Sequence, residues 1–158
     1  MQTLAELMEI LPQTGRVTWI GVRPSRNEPM QTPEAVEAVV GRGLTGDRFG
    51  GRRNKREVTL IQAEHINVVA SVMGYEIDPS ILRRNIVVRG LNLLALKGRR
   101  FAIGDVVLEY TGLAHPCSKM EAALGPGGYN AMRGHGGITC CLVESGVVRV
   151  GDAVRVVE

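Results

Sequence analysis

The last third of this chain constrains its fold most, because it consists of short apolar runs that are repeatedly cut by glycine turns. Residues 100–110 break at Gly104-Asp105, Ile138–Glu144 ends at Ser145-Gly146, and residues 147–157 break at Gly151-Asp152. Runs this short and rich in valine and isoleucine, with glycine between them, read as strands joined by tight turns. Residues 16–22, 57–61 and 85–89 have the same character and add three more strands. A helical period appears in only a few places. Leu4, Leu7, Met8 and Leu11 define a short helix that Pro12 and Gly15 end, and Ile66, Val69, Ala70 and Met73 define a second that Gly74 stops. Asp78 caps a helical turn that begins at Pro79. Residues 35–40 fit a strand or a helical turn equally well. The absence of any long βαβ alternation argues against a doubly wound parallel sheet. The expected fold is mainly β, a barrel or folded sheet with two or three helices packed outside, forming one domain over residues 1–158.

At 158 residues the chain is long enough to bury a core without staples, and 44% apolar and 22% charged residues are ordinary globular usage. Its apolar stretches are too short to span a membrane. Glu6 and Glu9 in the first eleven residues, with no basic region, argue against a secretory signal. Three cysteines without framework spacing suggest reduced thiols and a cytoplasmic location. A net charge of +3 and 4% aromatic residues do not describe a nucleic-acid platform. The arginines are nevertheless concentrated. Arg48, Arg52, Arg53, Lys55 and Arg56 form one cluster, and Arg83, Arg84 and Arg89 another. Such clusters are solvated loops or anion sites, and a phosphate-bearing small molecule suits them better than a polymer.

Cys117 is the leading candidate for chemistry. It follows Pro116 at the end of a strand-like run, with His115 and Lys119 within two residues. Both cations favour the thiolate, the form that attacks sulfur and binds metals. Cys140 and Cys141 lie side by side in a strand, so they face opposite ways and at least one is buried as an apolar residue. His-x-Cys without any CxxC is not customary zinc spacing, and a disulfide from Cys117 depends on geometry. Gly43-Leu44-Thr45-Gly46-Asp47-Arg48 reads as a glycine loop, either an anion nest or a turn held by Asp47. Arg83-Arg84-Asn85 suits phosphate or carboxylate recognition, or else marks a solvated strand edge. Residues 125–137, with six glycines, read as a flexible loop reaching out through Arg133 and His135, a lid over the thiol or a long connection.

Taken in order, several of these elements resemble the MOSC domain, named for the C-terminal region of molybdenum cofactor sulfurase. They are Gly-Leu-Thr-Gly-Asp-Arg, Arg83-Arg84-Asn85-Ile86-Val87-Val88-x-Gly90, Phe101-x-Ile103-Gly104-Asp105-x-Val107-Leu108-Glu109, Pro116-Cys117, and the closing glycine pair with Val-Gly-Asp. The resemblance runs from about residue 15 to residue 157. It implies a strand-rich, barrel-like fold and the molybdenum cofactor, molybdopterin. The family cysteine falls on Cys117, with His115 beside it, and the cofactor-binding positions fall on Asp47, Arg48, Arg83, Arg84 and Asn85, with Arg133 on the glycine segment. Cys117 would then either ligate molybdenum in reducing an N-hydroxylated or similar substrate, or carry sulfur as a persulfide. A third reading is a non-catalytic cofactor-binding module. Neither the pyridoxal-phosphate desulfurase domain of the sulfurases nor a ferredoxin or reductase domain is seen, so a separate desulfurase or electron-transfer protein is the expected partner.

Overall fold

The computed structural model describes residues 1–48 and 56–157, so Arg52, Arg53 and Lys55 of the first basic cluster lie outside the described residues. The chain opens with helix α1 (Leu4–Glu9), whose Thr3 and Glu6 form a reciprocal capping box. Strands β1 (Gly15–Ile20), β2 (Ala35–Val39), β3 (Gly43–Leu44) and β4 (Val58–Gln62) follow, then α2 (Ala63–Met73), a 3₁₀ turn at Pro79–Leu82, and β5 (Ile86–Arg89). After a second 3₁₀ turn at Leu93–Leu96 come β6 (Arg100–Ile103) and β7 (Val106–Leu113), then α3 (Ser118–Leu124) and α4 (Gly128–Met132). The chain ends with β8 (Ile138–Glu144), β9 (Gly146–Arg149) and β10 (Ala153–Val157).

Seven strands close into a barrel in the order β1, β10, β6, β7, β8, β4, β5, with β5 returning to β1. Every neighbouring pair is antiparallel except β4 and β5, which run parallel and are joined through α2. A separate sheet of β3, β2 and β9 packs beside it. The expected strand-rich barrel is the observed architecture.

Alternation within strands decides what goes where. Leu60, Ile86, Val88, Phe101, Ile103 and Leu108 belong to the barrel core, whereas the intervening Ile61 and Val87 point outward. Outside, Ile61 and Val87 meet Ile66 and Val69 of α2, Met120 and Leu124 of α3, and Met132 of α4. Strand β4 is buried along its whole length because it is covered on both sides. No helix among the described residues is long and apolar enough to cross a membrane.

Among the described residues four short α-helices occur, of which α2, α3 and α4 pack on this frame as expected, while α1 buries none of its residues. Residues 35–40 resolve as strand β2, and Gly43–Leu44 of the supposed loop pairs with it. The glycine segment 125–137 departs furthest from expectation. It contains helix α4, and three of its six glycines, Gly128, Gly136 and Gly137, serve close approach. A Cβ on Gly128 would lie 2.5 Å from Leu124 Cβ, so glycine lets α4 sit against α3. Gly137, at φ 90°, would place a Cβ 1.9 Å from the Leu60 carbonyl oxygen. The Glu121 carboxylate ties the two short helices together, accepting from Gly127 N at 3.1 Å and Tyr129 N at 2.9 Å.

Candidate functional site

Four segments converge on one cavity of about 520 Å³ at the helix-covered end of β4 and β5. Arg23 comes from the turn after β1, Asp47 and Arg48 from the turn after β3, Arg83 to Asn85 from the entry to β5, and His115, Cys117 and Lys119 from the β7–α3 junction. Of the residues singled out in the sequence, nine line this space: Asp47, Arg48, Arg56, Arg83, Arg84, Asn85, His115, Cys117 and Lys119. Arg133 does not. It is exposed at the end of α4, where its Nη1 donates to Asn130 Oδ1 at 3.5 Å.

Asn85 joins three of these segments. Its Oδ1 accepts from Thr59 N at 3.0 Å and Thr59 Oγ1 at 3.2 Å, and its Nδ2 donates to Gly21 O at 3.1 Å and Asp47 Oδ2 at 3.2 Å. The amide is therefore fully engaged within the protein. The other oxygen of Asp47 accepts from Arg23 N at 2.9 Å, and Arg48 N donates to Arg23 O at 2.6 Å. Asp47 thus holds the β1 turn rather than only its own. Burial raises its carboxyl above the usual range, against the pull of those hydrogen bonds and of Arg23.

Arg84 is buried, with 4% of its surface exposed, and its guanidinium is spread over three backbone carbonyls. Nε donates to Gly136 O at 2.7 Å, Nη2 to Ala114 O at 3.1 Å and Nη1 to Leu82 O at 3.3 Å. Burial lowers its pKa to about 10, with the Arg56 charge acting in the same direction and Cys117 acting against both. The next residue back, Arg83, is the one non-glycine with positive φ among the described residues, at 61°. That left-handed conformation, which costs about 1 to 3 kcal/mol, ends the 3₁₀ turn and sets Arg83 on the cavity wall.

Cys117 is the N-cap residue of α3, in extended conformation and exposed, while Cys140 is buried and Cys141 half-buried. Cys117 forms no disulfide with Cys140 or Cys141, so the bond left open by the sequence is not made. No metal-holding group of three or more His, Cys, Asp or Glu occurs among the described residues, and the zinc alternative has no support.

The cations crowd one another. Burial lowers the pKa of Arg23, and Arg83, Arg48 and Arg26 lower it further, with Asp47 acting the other way. Arg23, Glu57 and Thr59 are members of the site that the sequence did not single out. Arg23 stands alone before Pro24, outside any basic cluster, and carries no local signal. Glu57 is 3% exposed. Its Oε2 accepts from Gly41 N at 3.0 Å, whereas Oε1 has no hydrogen-bond partner among the described residues.

Structural relatives have the same fold. The YuaD protein from Bacillus subtilis superposes with a TM-score of 0.78 at 21% identity, covering 93% of this chain and 98% of its own. YiiM from Geobacillus stearothermophilus gives 0.74 at 16% identity, covering 91% and 75%, and YiiM from Escherichia coli gives 0.69 at 17%, covering 90% and 70%. No curated protein matches the chain. The sequence model of the MOSC domain matches residues 45–155, which span the site from Asp47 to Cys117 and the barrel beyond it. The chain belongs to the MOSC domain family, which is associated with molybdenum cofactor binding or sulfurase-like function.

Proposed function

We propose that the cavity holds the phosphate-bearing molybdenum cofactor, with Cys117 as a ligand to the metal, in a protein that reduces N-hydroxylated or similar substrates. The observation that carries this reading is the electrostatics of the cavity. A buried Arg84 guanidinium donates to three backbone carbonyls, and Arg23, Arg48 and Arg83 crowd the same space. Buried charge needs compensation, and a phosphate group supplies it.

The donor set fits the group. Arg23, Arg48 and Arg83 would take the phosphate, and Glu57 Oε1, the orphaned acceptor, would receive an N–H of the ring system. Arg84 keeps positive charge near Cys117 while anchoring the backbone that precedes it. Asp47 and Asn85 orient the surrounding turns. When bound, the molybdenum centre supplies two-electron redox chemistry. In the net reaction the N–O bond of the substrate breaks and water leaves, with two electrons and two protons supplied through a separate electron-transfer protein.

A sulfur-carrier function is the second reading, favoured by the exposure of Cys117. There the thiolate would accept sulfur from a separate cysteine desulfurase and pass it to an acceptor held by the arginines.

Metal and mass analysis of protein purified from cells that make the cofactor separates the two readings. Stoichiometric molybdenum that is lost in Cys117→Ser is the expected result. Absence of molybdenum, combined with one added sulfur on Cys117 after incubation with a desulfurase, would overturn it in favour of the carrier.

A further inference from the structure

Residues 134–137 lead from α4 into β8, and two sets of contacts hold them. The His135 ring meets His65 of α2, with centroids 5.1 Å apart and the planes at 70°. Gly136 O accepts from Arg84 Nε at 2.7 Å, and Gly137 O accepts from Ala114 N at 2.9 Å. Arg84 Nη2 also holds Ala114 O at 3.1 Å, three residues before Cys117. The joint to Ala114 is tight, since a Cβ on Gly136 would lie 2.0 Å from Ala114 O. The other end is loose. Gly134 has φ 80°, and a Cβ there would meet nothing within 4 Å. His135 and Gly136 therefore form a short flap between two left-handed glycines, open at Gly134 and wedged against β4 at Gly137.

The imidazole pair decides how this flap sits. A carbonyl oxygen only accepts, so the Nδ1 of His135, 3.2 Å from Ala131 O, carries the ring proton and Nε2 is left to take a second. Both rings are half-buried. Burial disfavours a charge on His65, and a charge on His135 disfavours it further. Glu64 acts the other way, but its carboxylate already accepts from Gly90 N at 3.0 Å and from Gln62 Nε2 at 3.4 Å. The elements packed against α2 bring no acid that could offset a second charge. Strand β4 has no ionisable side chain, β5 has only the exposed Arg89, and α4 has Tyr129 with Arg133 at its end. On α3, Lys119 is exposed and Glu121 is committed to Gly127 and Tyr129, while Asp78 caps Ser80. Glu76 lies beyond the far end of α2.

We infer that residues 134–137 are an acid-operated flap on the thiol site. Protonation of the His65–His135 pair drives the rings apart, Gly136 leaves Arg84, and the backbone before Cys117 loses its anchor. At neutral pH the flap is closed, with uncharged imidazoles edge to face. It opens in the range where histidines titrate. Acid favours the open form because the closed one holds the rings too near for two charges, whereas the open one exposes them to water. Arg84, parted from Gly136 O, keeps its bond to Leu82 O but no longer ties the glycine segment to Ala114. This adds a regulation to the thiol site and rests on Cys117 being its reacting group. It serves a metal ligand and a sulfur carrier alike.

The test is amide hydrogen exchange and thiol alkylation of the full chain at pH 7.5 and 5.5. Protection factors divide out the intrinsic pH dependence of exchange. They are expected to fall about fivefold at the His135 and Ala114 amides between the two conditions. Val17, whose amide donates to Asp152 O at 2.9 Å in the barrel, is expected to keep its protection. His65→Gln and His135→Gln each break the pair, and in either the fall is expected to vanish. Iodoacetamide alkylation of Cys117, followed by peptide mapping, is read as the ratio of the wild-type rate to that of His65→Gln, which cancels the thiol's own titration. That ratio is expected to be near one at pH 7.5 and to depart from one by about twofold or more at pH 5.5. Equal falls at Ala114 in wild type and variants, or a fall at Val17 as large as that at Ala114, overturns the flap. A ratio that stays at one overturns its link to Cys117. None of these readouts needs a metal, so molybdenum content decides the cofactor reading separately.

Discussion

Arg84 and Gly136 are joined by a 2.7 Å hydrogen bond from the guanidinium Nε to the carbonyl oxygen, and the same guanidinium holds Ala114 O at 3.1 Å. Ala114 N in turn donates to Gly137 O at 2.9 Å. One buried side chain thus fastens the glycine pair to the backbone three residues before Cys117. Arg84→Lys keeps the charge but offers a single point of donation in place of a fork. It is expected to lower unfolding stability by about 2 to 4 kcal/mol in urea titrations, with faster hydrogen exchange at the Ala114 amide. Unchanged stability and exchange would show that the three carbonyls do not depend on the fork.

Asn85 yields a sharper test, because an isosteric change reverses its chemistry. In Asn85→Asp the atom that donates to Gly21 O and Asp47 Oδ2 becomes an acceptor, set against a carbonyl and a half-buried carboxylate. Loss of about 2 to 4 kcal/mol is expected at neutral pH. Chemical denaturation at pH 7 and pH 4.5 measures it, and protonation of the carboxyl pair makes the deficit smaller at the lower pH. A deficit that does not change with pH would remove the like-charge explanation.

Gly137→Ala addresses the glycine segment. The residue has φ 90°, and its missing Cβ would lie 1.9 Å from Leu60 O, a backbone atom of β4 that cannot yield without disturbing the barrel. A loss of about 3 kcal/mol or more is expected in thermal unfolding. Gly134→Ala serves as the contrast. It has positive φ too, at 80°, but nothing within 4 Å of the added methyl, so it carries only the conformational cost.

These glycines explain what the sequence concealed. Strands were legible because side-chain alternation repeats locally: Ile86 and Val88 inward, Val87 outward. Helix α2 was legible from its period and from Gly74, which caps it in the left-handed conformation. Helix α4 was not. Gly127 and Gly128 look like a breaker in one dimension, and only the approach of Leu124 shows why no side chain is tolerated at Gly128. The site divided in the same way. Local clusters pointed to Arg83 and Cys117, but Arg23 joins through Asp47, a partner 24 residues away. Arg84 and Asn85 read as ligand donors, yet most of their hydrogen-bonding capacity is spent on carbonyls and on Thr59. A string of residues shows donor types, not which partners have already claimed them.

The three thiols are expected to separate cleanly in reactivity. Cys117 is exposed and lines the arginine-rich cavity, whereas burial and the neighbouring Cys141 push the Cys140 thiol well up. Brief iodoacetamide treatment of the native protein, followed by peptide mapping, is expected to modify Cys117 first and Cys140 only after unfolding. Inorganic phosphate in the cavity is expected to slow the reaction at Cys117, since it would occupy the space beside the thiol. Early labelling of Cys140 would contradict the closed barrel around it.

His65 and His135 connect α2 to the glycine segment, with ring centroids 5.1 Å apart in an edge-to-face arrangement. Burial lowers the His65 pKa below 6.5, His135 lowers it further, and the adjacent Glu64 pulls the other way while its carboxylate accepts from Gly90 N. His135 Nδ1 lies 3.2 Å from Ala131 O, so the pair sits beside the backbone that Arg84 anchors. Because the folded value is depressed, the unfolded chain takes up the proton first as the pH falls through 6.5. Stability contributed by neutral His65 is therefore complete above that value and is lost progressively as the pH falls through the depressed folded value. Urea midpoints at pH 7.5 and 5.5 are expected to drop more in the wild-type protein than in His65→Gln, which keeps a polar group but cannot titrate. Equal drops in the two proteins would place the acid sensitivity elsewhere, with Asp47 on the opposite sign: its raised carboxyl pKa makes protonation favour the folded state as the pH falls.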